Sequence, residues 1–148
     1  MVYFVGAGSG APDLITVRGK NLLEKADVII YAGSLVNPAL LQYARPECEL
    51  HNSAKLTLEE IVSLMEKAEK EGKLTVRLHT GEPSIYGAVR EQMDALEERG
   101  LREKVLIEIS GGINEDNILD YAPLDVDIIS LGCLTHQASS LNFSLDMD

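Results

Sequence analysis

At 148 residues, 45% hydrophobic and 25% charged, the chain has the size and composition of one compact domain with a full core, and residues 1–148 are expected to fold as a single unit. A formal net charge of −11 argues against nucleic acid and against anionic membrane surfaces as partners. No apolar run approaches the roughly 20 residues of a bilayer span, and Met1 leads directly into a strand pattern, so a cytoplasmic protein is expected.

Residues 2–5 form a short apolar run that ends in Gly6-Ala7-Gly8-Ser9-Gly10, the pattern of a buried strand entering a tight loop. Thr16 then caps a helix presenting Leu22, Leu23 and Ala26 to the core. Val28-Ile29-Ile30-Tyr31 is continuous and apolar, as in a parallel sheet covered on both faces. Asn37-Pro38 starts the next helical turn, packed through Leu40, Leu41 and Ala44, and residues 47–50 give a weaker strand. Thr57-Leu58-Glu59-Glu60 has capping-box spacing, followed by Ile61, Leu64, Met65 and Ala68 at helical intervals until Gly72.

Residues 74–79 read as a strand, after which Gly81-Glu82-Pro83-Ser84 turns into a helix with Ile85, Ala88, Val89 and Leu96 inward and Gly100 at its end. A strand at 105–109, a helix near 115–122 and a strand at 126–131 add one more βαβ unit. This alternation predicts a mostly parallel sheet with right-handed crossovers and helices on both faces, a three-layer αβα domain of Rossmann-like or flavodoxin-like type.

Cys48 and Cys133 form no Cys-x-x-Cys pair, and Cys48 with His51 lacks a second pair at ligand spacing, so free thiols and no metal site are expected. Gly6-x-Gly8-x-Gly10 departs from the dinucleotide fingerprint, and turn chemistry alone accounts for it. His79, the last residue of an apolar strand, reads as a packed, hydrogen-bonded histidine more readily than as a general base.

Three motifs in order, residues 5–16, residues 26–36 and residues 76–87 with Arg77-Leu78-His79-Thr80-Gly81-Glu82-Pro83, resemble the amino-terminal half of the tetrapyrrole methylases, cobalt-precorrin-4 C11-methyltransferases in particular. The resemblance covers residues 1 to about 101. It implies that the first glycine loop borders a tetrapyrrole cleft, with Pro12 near S-adenosylmethionine and Gly81, Glu82 and Pro83 in the turn that contacts it. Ser9, Ala11 and Glu82 depart mildly from the family's usual residues. More consequential is Ser110-Gly111-Gly112-Ile113-Asn114, which stands where the family has a Pro-Gly loop with Ser or Thr residues.

Residues from about 103 to 148, through 105–114, 126–136 and 141–146, resemble the closing βαβ piece of quinolinate phosphoribosyltransferase, a (β/α)-barrel. That resemblance implies a phosphate cup made by Ser110, Gly111 and Gly112 with Gly132 and His136. Two glycines before a helix expose N–H groups at the positive end of its dipole, with Asn114 as its cap, although turn chemistry explains the same glycines. Phosphate or sulfate is therefore the expected small ligand.

Two half-sites joined near 100–104 suggest an engineered chimera in which a barrel fragment completes the sheet, without native catalytic activity. On that reading no catalytic residue and no metal ligand is assigned, no cofactor is required, and S-adenosylmethionine binds weakly at most. The alternatives are a residual phosphate or S-adenosylmethionine binding module, and a cobalt-precorrin-4 methyltransferase using S-adenosylmethionine.

Overall fold

The computed structural model describes residues 1–8, 10–79, 88–101, 108–110, 113–114, 116–124 and 126–130. Four strands, β1 (Val2–Gly6), β2 (Val28–Tyr31), β3 (Glu49–Asn52) and β4 (Thr75–His79), form a parallel sheet in the order β1-β4-β2-β3. Two further strands, β5 (Glu108–Ser110) and β6 (Ile128–Ser130), pair with each other in parallel, and β5 packs against β1. The helices are α1 (Val17–Lys25), α2 (Leu58–Lys70), α3 (Ala88–Glu98) and the single turn α4 (Ile118–Tyr121).

Strand alternation sorts the core into two faces. On one face Val5, Ala7, Ile29, Val76 and Leu78 pack under Leu23 and Ala26 and against Val36 and Leu40. On the other, Val2, Phe4, Val28 and Ile30 meet Val62 and Met65 of α2, Val89 and Leu96 of α3, and Ile109 and Ile113. The β5 segment therefore shares this second core and does not form a separate one. The α/β class with a mostly parallel sheet is as the sequence predicts.

Local chemistry explains the element ends. Thr16 Oγ1 accepts from the Gly19 N–H at 3.0 Å, and Gly19 lets α1 lie close to β1, since a Cβ there would stand 3.0 Å from Val5 Cγ1. The capping box of α2 is complete: Thr57 Oγ1 accepts from the Glu60 N–H at 3.2 Å, and Glu60 Oε2 accepts from the Thr57 N–H at 2.7 Å. Its far end closes with the Lys73 N–H on the Ala68 carbonyl at 2.9 Å, around Gly72 at φ +71°.

Three expectations shift. The helix after Pro38 is a 3₁₀ segment, Pro38–Tyr43, because its bonds run from Leu40 N–H to Asn37 O and from Ala44 N–H to Leu41 O. The third strand starts at Glu49 and not at 47, since Cys48 N–H turns back to Arg45 O. The last helix is shorter than 115–122, its lead-in being held by Asn114, whose Oδ1 accepts from the Asp116 and Asn117 N–H groups at 2.9 and 3.1 Å. Residues 80–87, the 105–107 part of the fifth strand and residues 131–148 lie outside the described residues.

Candidate functional site

The connections decide where a ligand can enter. The chain leaves β1 toward the α1 face and leaves β2 toward the same face through Pro38–Tyr43, whereas it leaves β4 toward α3 on the opposite face. Because β4 lies between β1 and β2, and α1 and α3 lie on opposite faces, the carboxyl end of β4 is a topological switch point, the position at which open α/β sheets hold ligands in a crevice.

The glycine loop forms one wall. Ala7 N–H donates to His79 O at 2.7 Å, extending the β1–β4 ladder by one residue. At Gly8 the backbone turns with φ +73°, and a Cβ would stand 3.0 Å from Leu14 O, so only glycine fits this reversal. Gly10, at φ +108°, has open space where a side chain would be. Its carbonyl accepts from Asn37 Nδ2 at 2.7 Å, while Asn37 Oδ1 accepts from Ala39 N–H at 3.0 Å. One amide thus caps the helix after β2 and braces the loop after β1. Pro12 opens a 3₁₀ turn, Pro12–Leu14, half-buried on this wall.

Beneath the crevice, β4 presents Thr75, Arg77 and His79 to the α2 and α3 face, all buried. Arg77 Nε donates to Gln92 Oε1 at 3.0 Å, and its Nη1 donates to Ile30 O at 3.1 Å and Leu78 O at 3.4 Å. All three acceptors are neutral, and burial lowers the guanidinium pKa to about 10. The His79 ring stacks on Phe4 with centroids 6.1 Å apart and planes 15° off parallel. Burial, then the charge on Arg77, lower its pKa to about 3, so the imidazole is neutral at ordinary pH. His79 is packed as expected, but its Nε2 finds no hydrogen-bond partner among the described residues.

A second buried polar group joins the β5–β6 pair to the main sheet's helices. Glu108 is 0% exposed; its Oε1 accepts from Ser130 Oγ at 2.6 Å, and its Oε2 lies 3.3 Å from Arg18 Nε on the first turn of α1. Sequence reading missed both Arg77 and Glu108 as buried charges. Their signal is position: each sits inside an apolar strand pattern where period-two alternation puts a charged side chain on a face that helices cover.

Of the expected site residues, Pro12 lies on the crevice wall and Ser110 ends β5. Gly81, Glu82, Pro83, Gly111, Gly112, Gly132 and His136 lie outside the described residues. Near the expected anion cup, Asn114 N–H donates to Asn117 Oδ1 at 2.7 Å, and the Asp116 and Asn117 N–H groups are taken by Asn114. Side-chain oxygens thus already occupy the donors described there. Among the described residues no group of three metal-ligating side chains occurs, and no helix is long and apolar enough to cross a membrane.

Comparison with known proteins places this geometry. Residues 1–114 match the family model described as Tetrapyrrole (Corrin/Porphyrin) Methylases, a span that crosses the expected seam at 100–104. The chain is 54% identical over 109 residues to the "Cobalt-precorrin-4 C(11)-methyltransferase" of Methanocaldococcus jannaschii, covering 74% of this chain and 42% of that protein. It superposes on the solved structure of a cobalamin biosynthetic enzyme, cobalt precorrin-4 methyltransferase, with TM-score 0.68 and 48% identity over 76% of this chain and 46% of that one. A uroporphyrin-III C-methyl transferase from Thermus thermophilus, solved in complex with S-adenyl homocysteine, superposes with TM-score 0.56 and 34% identity over 67% and 43% of the two chains. The chain therefore spans less than half the length of these relatives.

These similarities correct two expectations. The reading of the chain as an inactive engineered chimera is overturned by the level of identity to named methyltransferases, which supports the methyltransferase alternative. The expectation that no cofactor is required falls with it, since a structural relative was solved holding S-adenyl homocysteine.

Proposed function

The chain belongs to the tetrapyrrole (corrin/porphyrin) methylase family, and from that premise we propose that it serves in C-methylation of a precorrin-class tetrapyrrole with S-adenosylmethionine as donor. The observation that carries this reading is the 54% identity over 109 residues to a cobalt-precorrin-4 C11-methyltransferase. The site fits such a ligand: a glycine-lined wall with open space at Gly10, and a buried polar nitrogen, His79 Nε2, without a partner among the described residues. Pro12 would flank the donor from the β1 side, and Gly81, Glu82 and Pro83 would contact it from the turn after β4.

The donor supplies a methyl group activated on a sulfonium sulfur. The chain's contribution is to orient it and to exclude water, since methyl transfer depends on alignment, an effect worth up to roughly 7 to 11 kcal/mol. The charge of Arg77, whose described acceptors are all neutral, favours electron-rich groups on whatever binds there. We place the protein in the cytoplasm and treat residues 1–148 as one folding unit.

For residues 103–148 we retain, as a proposal about that segment's origin, its likeness to the end of quinolinate phosphoribosyltransferase. In its support, β5 and β6 pair in parallel with α4 between them, the connectivity of a βαβ unit. The anion cup of Ser110, Gly111, Gly112, Gly132 and His136 remains a proposal for phosphate or sulfate, with modest affinity expected because Asn114 and Asn117 already consume local donors.

The test of the main reading is methyl transfer from radiolabelled S-adenosylmethionine to cobalt-precorrin-4, together with calorimetric titration of S-adenosylhomocysteine. Labelled product and micromolar binding are expected; absence of both would overturn the reading.

A further inference from the structure

We propose that the His79 imidazole is a ligand-binding group of the crevice, its Nε2 hydrogen-bonding a polar atom of a bound molecule of the S-adenosylmethionine class. The inference rests on the function proposed above and deepens it by naming a residue on the floor of that site. Four observations converge.

His79 is the last residue of β4, at the point where the neighbouring connections diverge. It is 7% exposed, yet among the described residues its Nε2 has no hydrogen-bond partner. Buried polar atoms in folded proteins are nearly always paired, so an unpaired one beside a crevice marks a position kept for something other than packing. Its register partner on β1 is Gly6, which places no side chain beside the ring on that face. Finally, Phe4 stacks against the ring and holds it in place, while burial, and then the nearby Arg77 charge, keep the imidazole uncharged. A neutral imidazole carries one donor and one acceptor nitrogen, a neutral recognition group in place of a cation.

Thr75 provides the internal control. It sits on the same face of the same strand and also carries a buried, unpartnered oxygen, Oγ1, but at the amino end, four residues from the crevice. Its defect should be indifferent to ligand.

The experiment is an NMR titration of the chain with S-adenosylhomocysteine, following the backbone amides and the His79 ring nitrogens, in wild type and in H79F, H79Q and T75V. Expected are ligand-induced shifts at both the 7–16 amides and the His79 ring. H79F should bind at least tenfold more weakly with an unchanged or raised thermal midpoint, H79Q should recover part of the loss, and T75V should match wild type. The ring-nitrogen shift in wild type needs no variant to fold. Shifts in the 7–16 amides with a silent His79 ring, or H79F binding within twofold of wild type, would overturn the proposal while leaving the methyl-donor reading in place. Absence of shifts anywhere would overturn both.

Discussion

The two faces of β4 are built on opposite principles. Toward α1 the strand offers Val76 and Leu78, both fully buried among apolar neighbours. Toward α2 and α3 it offers Thr75, Arg77 and His79, equally buried, in a core otherwise made of Phe4, Ile30, Met65 and Leu96. The first face needs only area and close packing to be stable. Stability on the second depends on Arg77 finding Gln92 and two carbonyls, and two of its polar atoms, Thr75 Oγ1 and His79 Nε2, find no partner among the described residues. A strand so differentiated separates a side of the sheet built only for packing from a side that carries buried polar groups up to the switch point.

The largest expected effect is a pH dependence confined to the polar face. His79 has a folded-state pKa lowered to about 3, below its unfolded value, so the unfolded chain binds the extra proton first. Stability should therefore be full above the unfolded value of about 6.5 and fall with decreasing pH by about 1.4 kcal/mol per unit until the folded pKa is reached. H79F should remove that slope. Urea midpoints at pH 7.5, 5.5 and 4.5 for both proteins check it, and parallel profiles would mean the ring is not held neutral.

On the apolar face, Leu78→Ala should cost about 2–5 kcal/mol through the cavity it leaves, with no change in pH profile. Equilibrium urea unfolding measures this, and a cost below 1 kcal/mol would erase the distinction between the faces. Arg77→Met, which keeps the length but removes the donor to Gln92 Oε1 and Ile30 O, should cost about 1–3 kcal/mol. Adding Gln92→Leu should recover part of that cost, because the double change removes both sides of one contact. The smallest effect belongs to Thr75→Val, which deletes an unpaired hydroxyl at nearly constant shape and should raise stability by up to about 1 kcal/mol.

The layered α/β architecture was legible because its signals are local. Thr16, the Thr57–Glu60 box and Gly72 mark helix ends through chemistry confined to four or five residues. The buried polar face was not legible, because Thr-Val-Arg-Leu-His read alone is equally a half-exposed strand; only α3, arriving from later in the chain with Gln92, converts exposure into burial. Of Thr75, Arg77 and His79, only His79 is read from the sequence as packed, and Arg77 is missed for the same reason. The glycine wall was found, since Gly8 and Gly10 announce their turn in the sequence itself. Likewise Glu108 looked like one more strand residue until Arg18 and Ser130, one from each side of it in the chain, closed around it.

The brace between Asn37 and Gly10 also bears on how the protein ages. Asparagine side chains deamidate when the next residue's backbone nitrogen attacks the amide to form a succinimide, a step that needs an N–H on that nitrogen. Here the next residue is Pro38, which has none. Deamidation would leave the cap on Ala39 intact, since a carboxylate accepts as well as an amide oxygen, but it would replace the donor to the Gly10 carbonyl with a second acceptor and push the glycine wall away. Proline at position 38 thus protects the width of the crevice against slow chemical damage, and N37D supplies the damaged form for direct comparison.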